Sequence, residues 1–525
     1  MPSVLISDDL SPAAIAIFAR RGLEVDFKPG LKKEELLAII GGYDGLAVRS
    51  STKATAEVIA AATRLKVIGR AGIGVDNIDI PAATARGVVV MNTPFGNSIT
   101  TAEHTIALMF AAARQIAPAD ASTQAGKWEK NRFLGVELFA KTLGLIGCGN
   151  IGGLVAERAL GLKMKVIAYD PYLSPERAVE IGVAKVELAE LLARADLISL
   201  HTPLTEKTRN ILSADALANT KRGVIILNAA RGGLVDERAL RSLLEDGHIA
   251  AAAFDVFVEE PAKQNPLFGA PNFTATPHLG AATNEAQENV ALQVAEQMSD
   301  YLLSGAVSNA LNTPSITAEE APRIKPWAAL AEKLGLLAGQ LWDGPLERIE
   351  VAFEGEVSRL NVKPLTAAAL AGVLRPQLGE VNMVSAPAVA RERGVTVAES
   401  RQDSASTYDS VLRLVLRSSA GELTVAGTLF SSEPRVIEAE GLLLEAPIAP
   451  HMLYLRNQDR PGFIGALGKV LGDAGANIAT FNLGRSGTGG GVAAALVGLD
   501  APISPAILQQ VQALPLVVFA KSLAF

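Results

Sequence analysis

The sequence predicts an α/β protein of several domains: two Rossmann-like, doubly wound parallel sheets, then an α+β domain, then a C-terminal ferredoxin-like βαββαβ sandwich. Three patterns indicate this architecture. Short β-branched runs alternate with helical patterns over residues 4–93, and the alternation restarts near residue 141 at a glycine-rich turn. Residues 451–525 read strand, helix, strand, strand, helix, strand.

Length and charge limit the possible functions. At 525 residues the chain exceeds what one hydrophobic core usually organises, so we expect three or four domains. A net charge of -7 is the wrong sign for a protein that binds nucleic-acid phosphates. There is no basic leader and no run of about 18 uncharged apolar residues, and a single cysteine, Cys148, excludes an internal disulfide. We therefore expect a cytoplasmic protein that binds no nucleic acid, no membrane and no metal.

The first α/β domain is predicted from five strand candidates: VLIS, LEVDF, GLAVRS, KVIGRAG and VVVMNT. Between the first two, Ser11 and Pro12 are typical of a helix start and Gly22 of a helix stop. A long apolar helix begins near Ser98 and leads to the second unit. Six strand candidates follow there, which predicts a complete dinucleotide fold: TLGLIG, KVIAYD, DLISLHTP, GVIILNAARGG, AAAFDVF and FTATPHLG. A helix of about 20 residues comes next, and the prolines of TPSITAEEAPRIKP predict a linker.

A glycine motif opens the second unit. Gly147, Gly149 and Gly152 form G-x-G-x-x-G between an apolar strand and a helical pattern, a context that argues against a chance glycine-rich loop. Glycines at this spacing permit a tight turn and let a pyrophosphate approach the backbone at the helix N-terminus. Asp170 ends the next strand, where an acceptor for the adenosine ribose hydroxyls is required. Because a carboxylate repels a 2'-phosphate and no arginine follows Asp170 directly, the motif favours NAD over NADP.

Three polar residues follow successive strand candidates of the second unit: Arg231, Glu260 and His278. The carboxyl ends of parallel strands face the ligand crevice, so we expect these side chains to converge. Oxidation of a secondary alcohol requires a base for the hydroxyl proton and a cation that holds a neighbouring carboxylate. The pattern predicts His278 as acid/base, Glu260 as its partner and Arg231 as substrate anchor. Taken singly, each could be a surface charge, and Glu259 is an equally available carboxylate.

Together these motifs resemble the D-2-hydroxyacid dehydrogenases over residues 3–313. LGLIGCGNIG, HTPLTEKTRNIL, LNAARGGLVDERAL, FDVFVEEP and TPHLGAAT are similar to the NAD-binding half of that family, and RAGIGVDNIDIPAATARGVVVMNTP to the other half. The resemblance implies the same catalytic set, with Glu260, the residue before Pro261, as the carboxylate. One departure is Ile73, where the family often has threonine near the cofactor phosphate, so we expect slightly weaker NAD binding. The NAD site that the resemblance implies consists of Gly147, Gly149, Asn150, Ile151, Gly152, Asp170, Thr202, Ala229, Asp255 and Gly280.

The rest of the chain resembles the long form of this family, whose members oxidise 3-phospho-D-glycerate in the first step of L-serine biosynthesis. PLTAAALAGVL and EVNMVSAPAVARERGV are similar to its intervening domain, and RNQDRPGFIGALGKVLGDAGANIATFNLGR to its ACT domain. The domains are then a substrate-binding domain (residues 1–97 and 285–313), an NAD-binding Rossmann domain (98–284), an intervening α+β domain (314–449) and an ACT domain (450–525).

A substrate with a carboxylate and a phosphate requires cations beyond Arg231. Arg49 and Arg70 both end strand candidates of the first domain, which predicts that they face the interdomain cleft. Lys130 and Arg132 could reach a neighbouring subunit's cleft, although a solvated surface role is at least as plausible. The predicted substrate site consists of Arg49, Ser50, Arg70, Gly72, Asn97, Arg231 and His278.

The ACT resemblance also implies regulation by an amino acid, with L-serine as the expected ligand. Asp459 follows the first strand of that domain and Asn477 opens the second, at positions that hold serine in the ACT domains this segment resembles. Asn457 stands where some relatives have histidine or tyrosine, which leaves the identity of the ligand open. The alternative is that Asp459 only caps a helix and the domain serves dimerisation.

Two other functions fit parts of the sequence. One is a different D-2-hydroxyacid dehydrogenase, such as a glycerate or glyoxylate reductase, although such relatives generally lack the two extra domains. The other is an NAD-sensing, dehydrogenase-like binding protein. We expect a homo-oligomer, either a dimer or a homotetramer.

Overall fold

A computed structural model describes residues 1–379, 381–404, 408–419, 421–485 and 491–525. The first domain has strands β1 (Ser3–Ile6), β2 (Glu24–Phe27), β3 (Gly45–Val48), β4 (Val67–Arg70) and β5 (Val89–Met91), and helices α1 (Pro12–Arg20), α2 (Lys33–Ile39), α3 (Ala56–Ala61) and α4 (Ile80–Ala85). The strands form one parallel sheet in the order β2-β1-β3-β4-β5. The five predicted strands are therefore confirmed. The predicted start of α1 is also confirmed, because the Ser11 side chain accepts a hydrogen bond from Ala13 N.

The second domain is a seven-stranded parallel sheet, one strand more than predicted. Its strands are β6 (Thr142–Ile146), β7 (Lys165–Tyr169), β8 (Ala184–Lys185), β9 (Leu197–Leu200), β10 (Val224–Asn228), β11 (Ile249–Phe254) and β12 (Phe273–Ala275). Its helices are α5 (Ser98–Arg114), α6 (Ile116–Gln124), α7 (Asn150–Gly161), α8 (Pro175–Glu180), α9 (Leu188–Arg194), α10 (Ala214–Ala218) and α11 (Glu237–Glu245). The additional strand is β8, which escapes a pattern search because it has only two residues, both of them exposed.

The strand order β12-β11-β10-β9-β6-β7-β8 reverses direction at β6, as in doubly wound dinucleotide folds. Successive residues of a strand pack on opposite faces: Val166 and Ala168 lie in one apolar core and Ile167 in another. Because both faces are covered, the strands read as continuous apolar runs. The point of reversal lies at the carboxyl ends of β6 and β9, which is where such folds bind their ligand.

Helix α12 (Asn284–Ser304) returns to the first domain. Gly69 of β4 has no side chain, and Met298 of α12 occupies the space that a Cβ there would require. Arg21, directly after α1, forms ion pairs with Glu296 and Asp300 of the same helix. The first domain is thus assembled from two separate parts of the chain.

The third domain combines a mixed sheet with a helical layer. Its helices are α13 (Ala321–Leu341), α14 (Lys363–Leu378) and α15 (Ala386–Glu392), and its strands are β13 (Arg348–Gly355), β14 (Thr396–Gln402), β15 (Ser410–Ser418), β16 (Gly421–Phe430), β17 (Glu433–Ala439) and β18 (Leu442–Pro447). The order is β14-β13-β15-β16-β17-β18, with β13 and β14 parallel and the other pairs antiparallel. Helices α13 and α14 cross closely at Gly335, Gly339 and Gly372, where a Cβ would overlap the facing backbone.

The predicted linker is wrong over its last six residues. Helix α13 already begins at Ala321, and Pro322 occupies its first turn. Proline is tolerated there because the first N–H groups of a helix have no intrahelical partner. The prolines of this segment therefore mark a helix start as well as a break.

The C-terminal domain has the predicted βαββαβ order: β19 (His451–Gln458), α16 (Phe463–Asp473), β20 (Ile478–Arg485), β21 (Val492–Leu499), α17 (Pro505–Gln512) and β22 (Val517–Ala524). The antiparallel sheet runs β20-β21-β19-β22. One face carries Leu453 and Leu455 against α16 and α17, and the other carries Met452 and Tyr454 into the core shared with the third domain. Among the helices that the structure describes, none combines the length and the apolar character that crossing a bilayer requires.

Candidate active site

The predicted catalytic side chains lie beyond the carboxyl ends of three adjacent strands. Arg231 follows β10, Glu260 follows β11 and His278 follows β12. His278 Nδ1 and Glu260 Oε2 are 2.6 Å apart, and Arg231 is close enough for its charge to act on both. The fold thus brings together three residues that span 47 positions of the sequence.

The contact between His278 and Glu260 sets the charge of both groups. The hydrogen bond that His278 donates to Glu260 raises the pKa of His278 above its usual value, against the opposing effect of burial. Burial alone would raise the pKa of Glu260, but hydrogen bonds from His278 and from Phe257 N hold it below its usual value. The carboxylate against His278 is that of Glu260 and not that of the neighbouring Glu259, because Glu260 Oε2 is the atom 2.6 Å from His278 Nδ1. Because Nδ1 faces Glu260, Nε2 is the nitrogen left for a substrate.

The glycine turn has the shape that a pyrophosphate requires. Gly147 has a φ of 94°, and Gly152 packs so closely on Gly147 O that a Cβ would overlap it. Gly149 has open space around its Cβ position and precedes α7 without any side-chain cap. The first N–H groups of α7, from Asn150 and Ile151 onward, are therefore available to an anion.

Asp170 lies directly after β7, beside this turn. Its Oδ2 accepts from Cys148 N at 2.8 Å and its Oδ1 accepts from Tyr172 N at 2.8 Å. A carboxylate has about four acceptor positions, so two remain for ribose hydroxyls. Cys148 is buried, and burial raises the pKa of its thiol to about 11, which fits a space-filling side chain.

Arginines from the first domain face this cleft from the opposite side. Arg231 Nε pairs with Asp76 Oδ2 at 2.9 Å, which joins the two domains. Burial, together with repulsion from Arg231 and Arg49, lowers the pKa of Arg70 to about 10. Arg70 Nε is buried and has no hydrogen-bond partner among the described residues. The Arg70 guanidinium therefore lies close enough to those of Arg231 and Arg49 to be repelled by both, an arrangement that an anionic ligand would stabilise.

The other predicted substrate residues surround these arginines. Gly72, at a φ of 145°, packs against the Arg70 guanidinium so closely that a Cβ would overlap it. Ser50 is exposed, and Arg49 is held by Asp8 through its backbone N and by Asp9 O through Nη1. Asn97 precedes α5, and its Oδ1 is buried without a partner in the described part of the chain.

The remaining residues of the predicted NAD site lie at carboxyl ends of strands in the second domain. Thr202 and Ala229 follow β9 and β10 by two residues and one residue respectively. Asp255 follows β11 and is fully buried, and its Oδ2 accepts from Gly280 N at 2.7 Å. These positions border the strand ends on which the glycine turn and His278 also lie.

Sequence reasoning missed two residues of this region. Asp76 binds Arg231 from the other domain, and His104 Nε2 lies 3.2 Å from Asp255 Oδ1. The sequence carried no signal for either, because each contact joins elements that are more than 100 positions apart. In the described ranges, no cluster of three or more His, Cys, Asp or Glu side chains is arranged to hold a metal ion.

Lys130 and Arg132 lie in a short 3-10 helix after α6. Arg132 pairs with Glu129 at 3.0 Å and its guanidinium lies over the Phe133 ring. These contacts are local and lie outside the set of residues around His278.

The two predicted regulatory residues are not brought together within one chain. Asp459 Oδ2 pairs with Arg485 at the end of β20, whereas Asn477 Nδ2 donates to Asp500 Oδ2 at the start of β20. Eight residues of extended strand separate these points, which corresponds to about 26 Å. The prediction that both side chains hold one ligand is therefore wrong for a single copy of the chain, because parallel β19 and β20 place them at opposite ends of the sheet.

Comparison with known proteins relates the chain to enzymes. Residues 106–280 match the D-isomer specific 2-hydroxyacid dehydrogenase NAD binding domain, residues 323–440 the D-3-phosphoglycerate dehydrogenase intervening domain, and residues 451–516 the ACT domain. A D-3-phosphoglycerate dehydrogenase of Archaeoglobus fulgidus is 43% identical over 510 residues, which cover 97% of each chain.

Solved structures resemble a smaller part of the chain. A Thermus thermophilus protein is 38% identical with a TM-score of 0.55 and covers 59% of this chain and 99% of its own. A glyoxylate reductase from Paecilomyes thermophila is 32% identical with a TM-score of 0.56 and covers 59% of this chain and 98% of its own. The likeness to the archaeal relative extends over nearly the whole chain, intervening and ACT domains included.

Proposed function

The chain belongs to the D-3-phosphoglycerate dehydrogenases within the D-2-hydroxyacid dehydrogenase family, and on that premise we propose how its cleft oxidises 3-phospho-D-glycerate to 3-phosphohydroxypyruvate. The observation that carries the proposal is the 2.6 Å contact between His278 and Glu260, with Arg231 beside it and the partly buried Arg70 close to Arg231. A base, its partner and cations for an anionic substrate then share one cleft.

The cofactor is NAD, which supplies the hydride acceptor when bound. Gly147, Gly149 and Gly152 fit its pyrophosphate because a Cβ is excluded at two of them and the third leaves open space before α7. Asp170 is assigned to the ribose hydroxyls. The remaining assignments to the cofactor are Asn150, Ile151, Thr202, Ala229, Asp255 and Gly280.

His278 acts as the base for the alcohol group. As the C2–H bond breaks with loss of hydride, the hydroxyl proton passes to His278 Nε2, and a carbonyl forms at C2. Glu260 stabilises the resulting imidazolium through Nδ1–H, because an ionised carboxylate favours the charged form of the ring. The proton then leaves to solvent, since half of the His278 side chain is exposed.

The substrate charges are distributed between the two sides of the cleft. Arg231 holds the carboxylate next to the reacting carbon, where its planar fork also polarises the developing carbonyl. Arg49 and Arg70 attract the phosphate, since their mutual repulsion is relieved by an anion. The unpartnered Arg70 Nε donates to the phosphate, and the unpartnered Asn97 Oδ1 accepts from a bridging water. Ser50 and Gly72 complete the pocket.

The test is formation of NADH by the purified full-length chain with 3-phospho-D-glycerate, D-glycerate, D-lactate and glycolate. Alkaline pH favours the reaction because it removes the released proton. We expect the highest kcat/KM with 3-phospho-D-glycerate, because only this acid carries the second anionic group. Higher kcat/KM with D-glycerate or glycolate would instead assign the chain to glycerate or glyoxylate reduction.

We further propose that L-serine binds the ACT domain between two copies of the chain. Among the described residues β20 hydrogen-bonds as a strand only to β21, so no strand pairs with its other edge, although Leu443 of β18 packs against Gly484 near the end of β20. If two copies pair along β20 about a two-fold axis, the start of one strand meets the end of the other. The partner subunit's Asn477 then lies at the same end of the sheet as Asp459, which removes the lengthwise separation found within one chain. Asn457 Oδ1, two positions before Asp459, is buried and has no hydrogen-bond partner within the described ranges, which supports a ligand at this end.

A further inference from the structure

The backbone of His278 is held in an uncommon conformation. Its φ is 56°, in the left-handed region, which is unfavourable for a residue other than glycine and persists only where neighbours impose it. His278 N donates to Asp255 O at 2.9 Å and to Thr276 O at 3.1 Å. The direction of the imidazole therefore depends on the contacts of the short segment 276–280.

One buried carboxylate binds that segment on both sides of His278. Asp255 Oδ1 accepts from Thr276 Oγ1 at 2.6 Å and from Leu279 N at 2.7 Å, and Oδ2 accepts from Gly280 N at 2.7 Å. Asp255 has no exposed surface. A buried carboxylate is stable only when it is fully hydrogen-bonded or paired with a cation, so the geometry of this segment depends on how Asp255 is satisfied.

The remaining contacts to this group come from α5. His104 Nε2 lies 3.2 Å from Asp255 Oδ1 and 3.2 Å from Thr276 Oγ1. The Thr276 hydroxyl already donates to Asp255, so Nε2 is the donor to both oxygens, which fixes the tautomer of His104. Thr101, one turn earlier on α5, donates to Gly280 O at 2.9 Å. Side chains of α5 therefore hydrogen-bond to both ends of segment 276–280, which carries His278.

We propose that His104 is a positioning residue of the reaction: by hydrogen-bonding Asp255 and Thr276 it holds the left-handed turn that keeps the His278 imidazole against Glu260. The role rests on the proposed function, in which His278 is the base. His104 itself touches neither the imidazole nor Glu260, and its effect passes through Asp255 and the backbone of segment 276–280.

Three substitutions at His104 test whether the reaction needs a hydrogen-bond donor at the position of Nε2 or only a polar side chain. His104→Leu removes the donor at similar size. His104→Gln places an amide N–H where Nε2 was, whereas His104→Asn is polar but stops short of Asp255. The matched control is His248→Leu, because His248 Nε2 also lies 3.2 Å from a threonine hydroxyl, that of Thr220, but at the amino end of β11.

The measurements are kcat and KM for 3-phospho-D-glycerate at saturating NAD, with the melting temperature of each variant. We expect His104→Leu and His104→Asn to lower kcat by about 10- to 100-fold, since a misplaced catalytic group costs up to that much. KM should stay unchanged because the arginines are untouched. His104→Gln should recover most of the lost kcat, and His248→Leu should keep full kcat even if its melting temperature falls.

Three outcomes overturn the role of His104. The first is a kcat of His104→Leu equal to that of the unmodified chain. The second is a loss of kcat in His104→Gln as large as that in His104→Asn. The third is a loss of kcat in His248→Leu that matches the fall in its melting temperature, because kcat would then follow stability alone. If the unmodified chain turns over none of the acids, the proposed function fails and this role fails with it. A normal rate in the unmodified chain and in His104→Leu overturns only the role of His104.

Discussion

Single residues gain their chemistry here from their neighbours. His278 is an ordinary histidine by sequence, yet the Glu260 carboxylate raises its pKa and fixes which ring nitrogen faces the substrate. Arg70 is likewise altered, because burial near Arg231 and Arg49 lowers its pKa to about 10 and leaves Nε unpaired. His278 is therefore suited to take up a proton, and Arg70 is suited to bind an anionic group of the substrate.

Replacing the base should stop turnover without loss of cofactor. We expect His278→Ala to lower kcat by roughly 100- to 10,000-fold, which is the usual contribution of a general base. The glycine turn lies at β6, away from the substitution, so NADH affinity measured by fluorescence titration should stay close to normal. A kcat close to that of the unmodified chain would exclude His278 as the base.

Replacing the partner carboxylate should move the pH profile. His278 must be neutral to accept a proton, so the acid limb of kcat/KM reports its pKa. Glu260 raises that pKa, and hence Glu260→Gln should shift the acid limb to lower pH while it lowers the maximal rate. The matched control is Glu259→Gln, because the neighbouring Glu259 is not the carboxylate in contact with His278. An acid limb that moves in the Glu259 variant instead would reverse the assignment.

The sequence could predict Arg231, Glu260 and His278 because each follows a strand, and parallel strands end on one side of a sheet. It could not choose between Glu259 and Glu260 from spacing alone, since either can face a histidine 18 or 19 positions away. His104 was out of reach for another reason. Its contact with Asp255 depends on how α5 packs across the sheet, which no local pattern encodes.

At the scale of secondary-structure elements, close backbone approach decides where glycine is required. Gly152 and Gly153 are neighbours in α7, but only Gly152 faces β6, where a Cβ would overlap Gly147 O. Gly153 has open space at its Cβ position. The two glycines therefore form a matched pair within one helix turn.

We expect Gly152→Ala to weaken NAD binding and to lower the free energy of unfolding by about 1–3 kcal/mol, the usual cost of overpacking. Gly153→Ala should leave NAD affinity unchanged and stabilise the chain by up to about 1 kcal/mol, because alanine is the better helix former. Calorimetric titration with NAD and chemical denaturation measure the two quantities. Equal NAD affinities for both variants would argue against a pyrophosphate at this turn.

Elements with a strong hydrophobic pattern were predictable, and those shaped by their surroundings were not. The strands of the second sheet are apolar because helices cover both faces, so six of the seven could be read directly. Strand β8 has two exposed residues and exists only because β7 offers it a partner. The start of α13 was hidden by Pro322, which lies in its first turn, where a helix tolerates proline, and by Pro326, which lies inside the helix.

At the scale of the whole molecule, the domains are joined by specific contacts that domain order does not reveal. Tyr454 of the ACT domain donates to Glu440 of the intervening domain at 2.6 Å, and Gly484 leaves space for the backbone of β18. Asn382 of the intervening domain fills the space beside Gly87 of the first domain.

The proposed serine site makes a prediction that only an oligomer can satisfy. Asp459 and Asn477 lie at opposite ends of the ACT sheet in one chain, so a ligand that touches both must lie between two copies. Asp459→Ala and Asn477→Ala should each abolish inhibition by L-serine. Oligomers reassembled from a mixture of the two variants should regain part of it, because the chain with an intact Asp459 meets the chain with an intact Asn477.

Inhibition by millimolar L-serine, followed as NADH formation, measures this recovery, and each variant reassembled alone is the control. A site within one chain predicts no recovery on mixing, because every copy lacks one of the two side chains that would hold L-serine. A domain that serves dimerisation alone predicts that serine slows neither the unmodified chain nor the mixture. Only a site shared between two copies, as pairing along β20 would form, predicts loss in both separate variants and partial return in the mixture, since one of the two sites in each mixed pair is then complete.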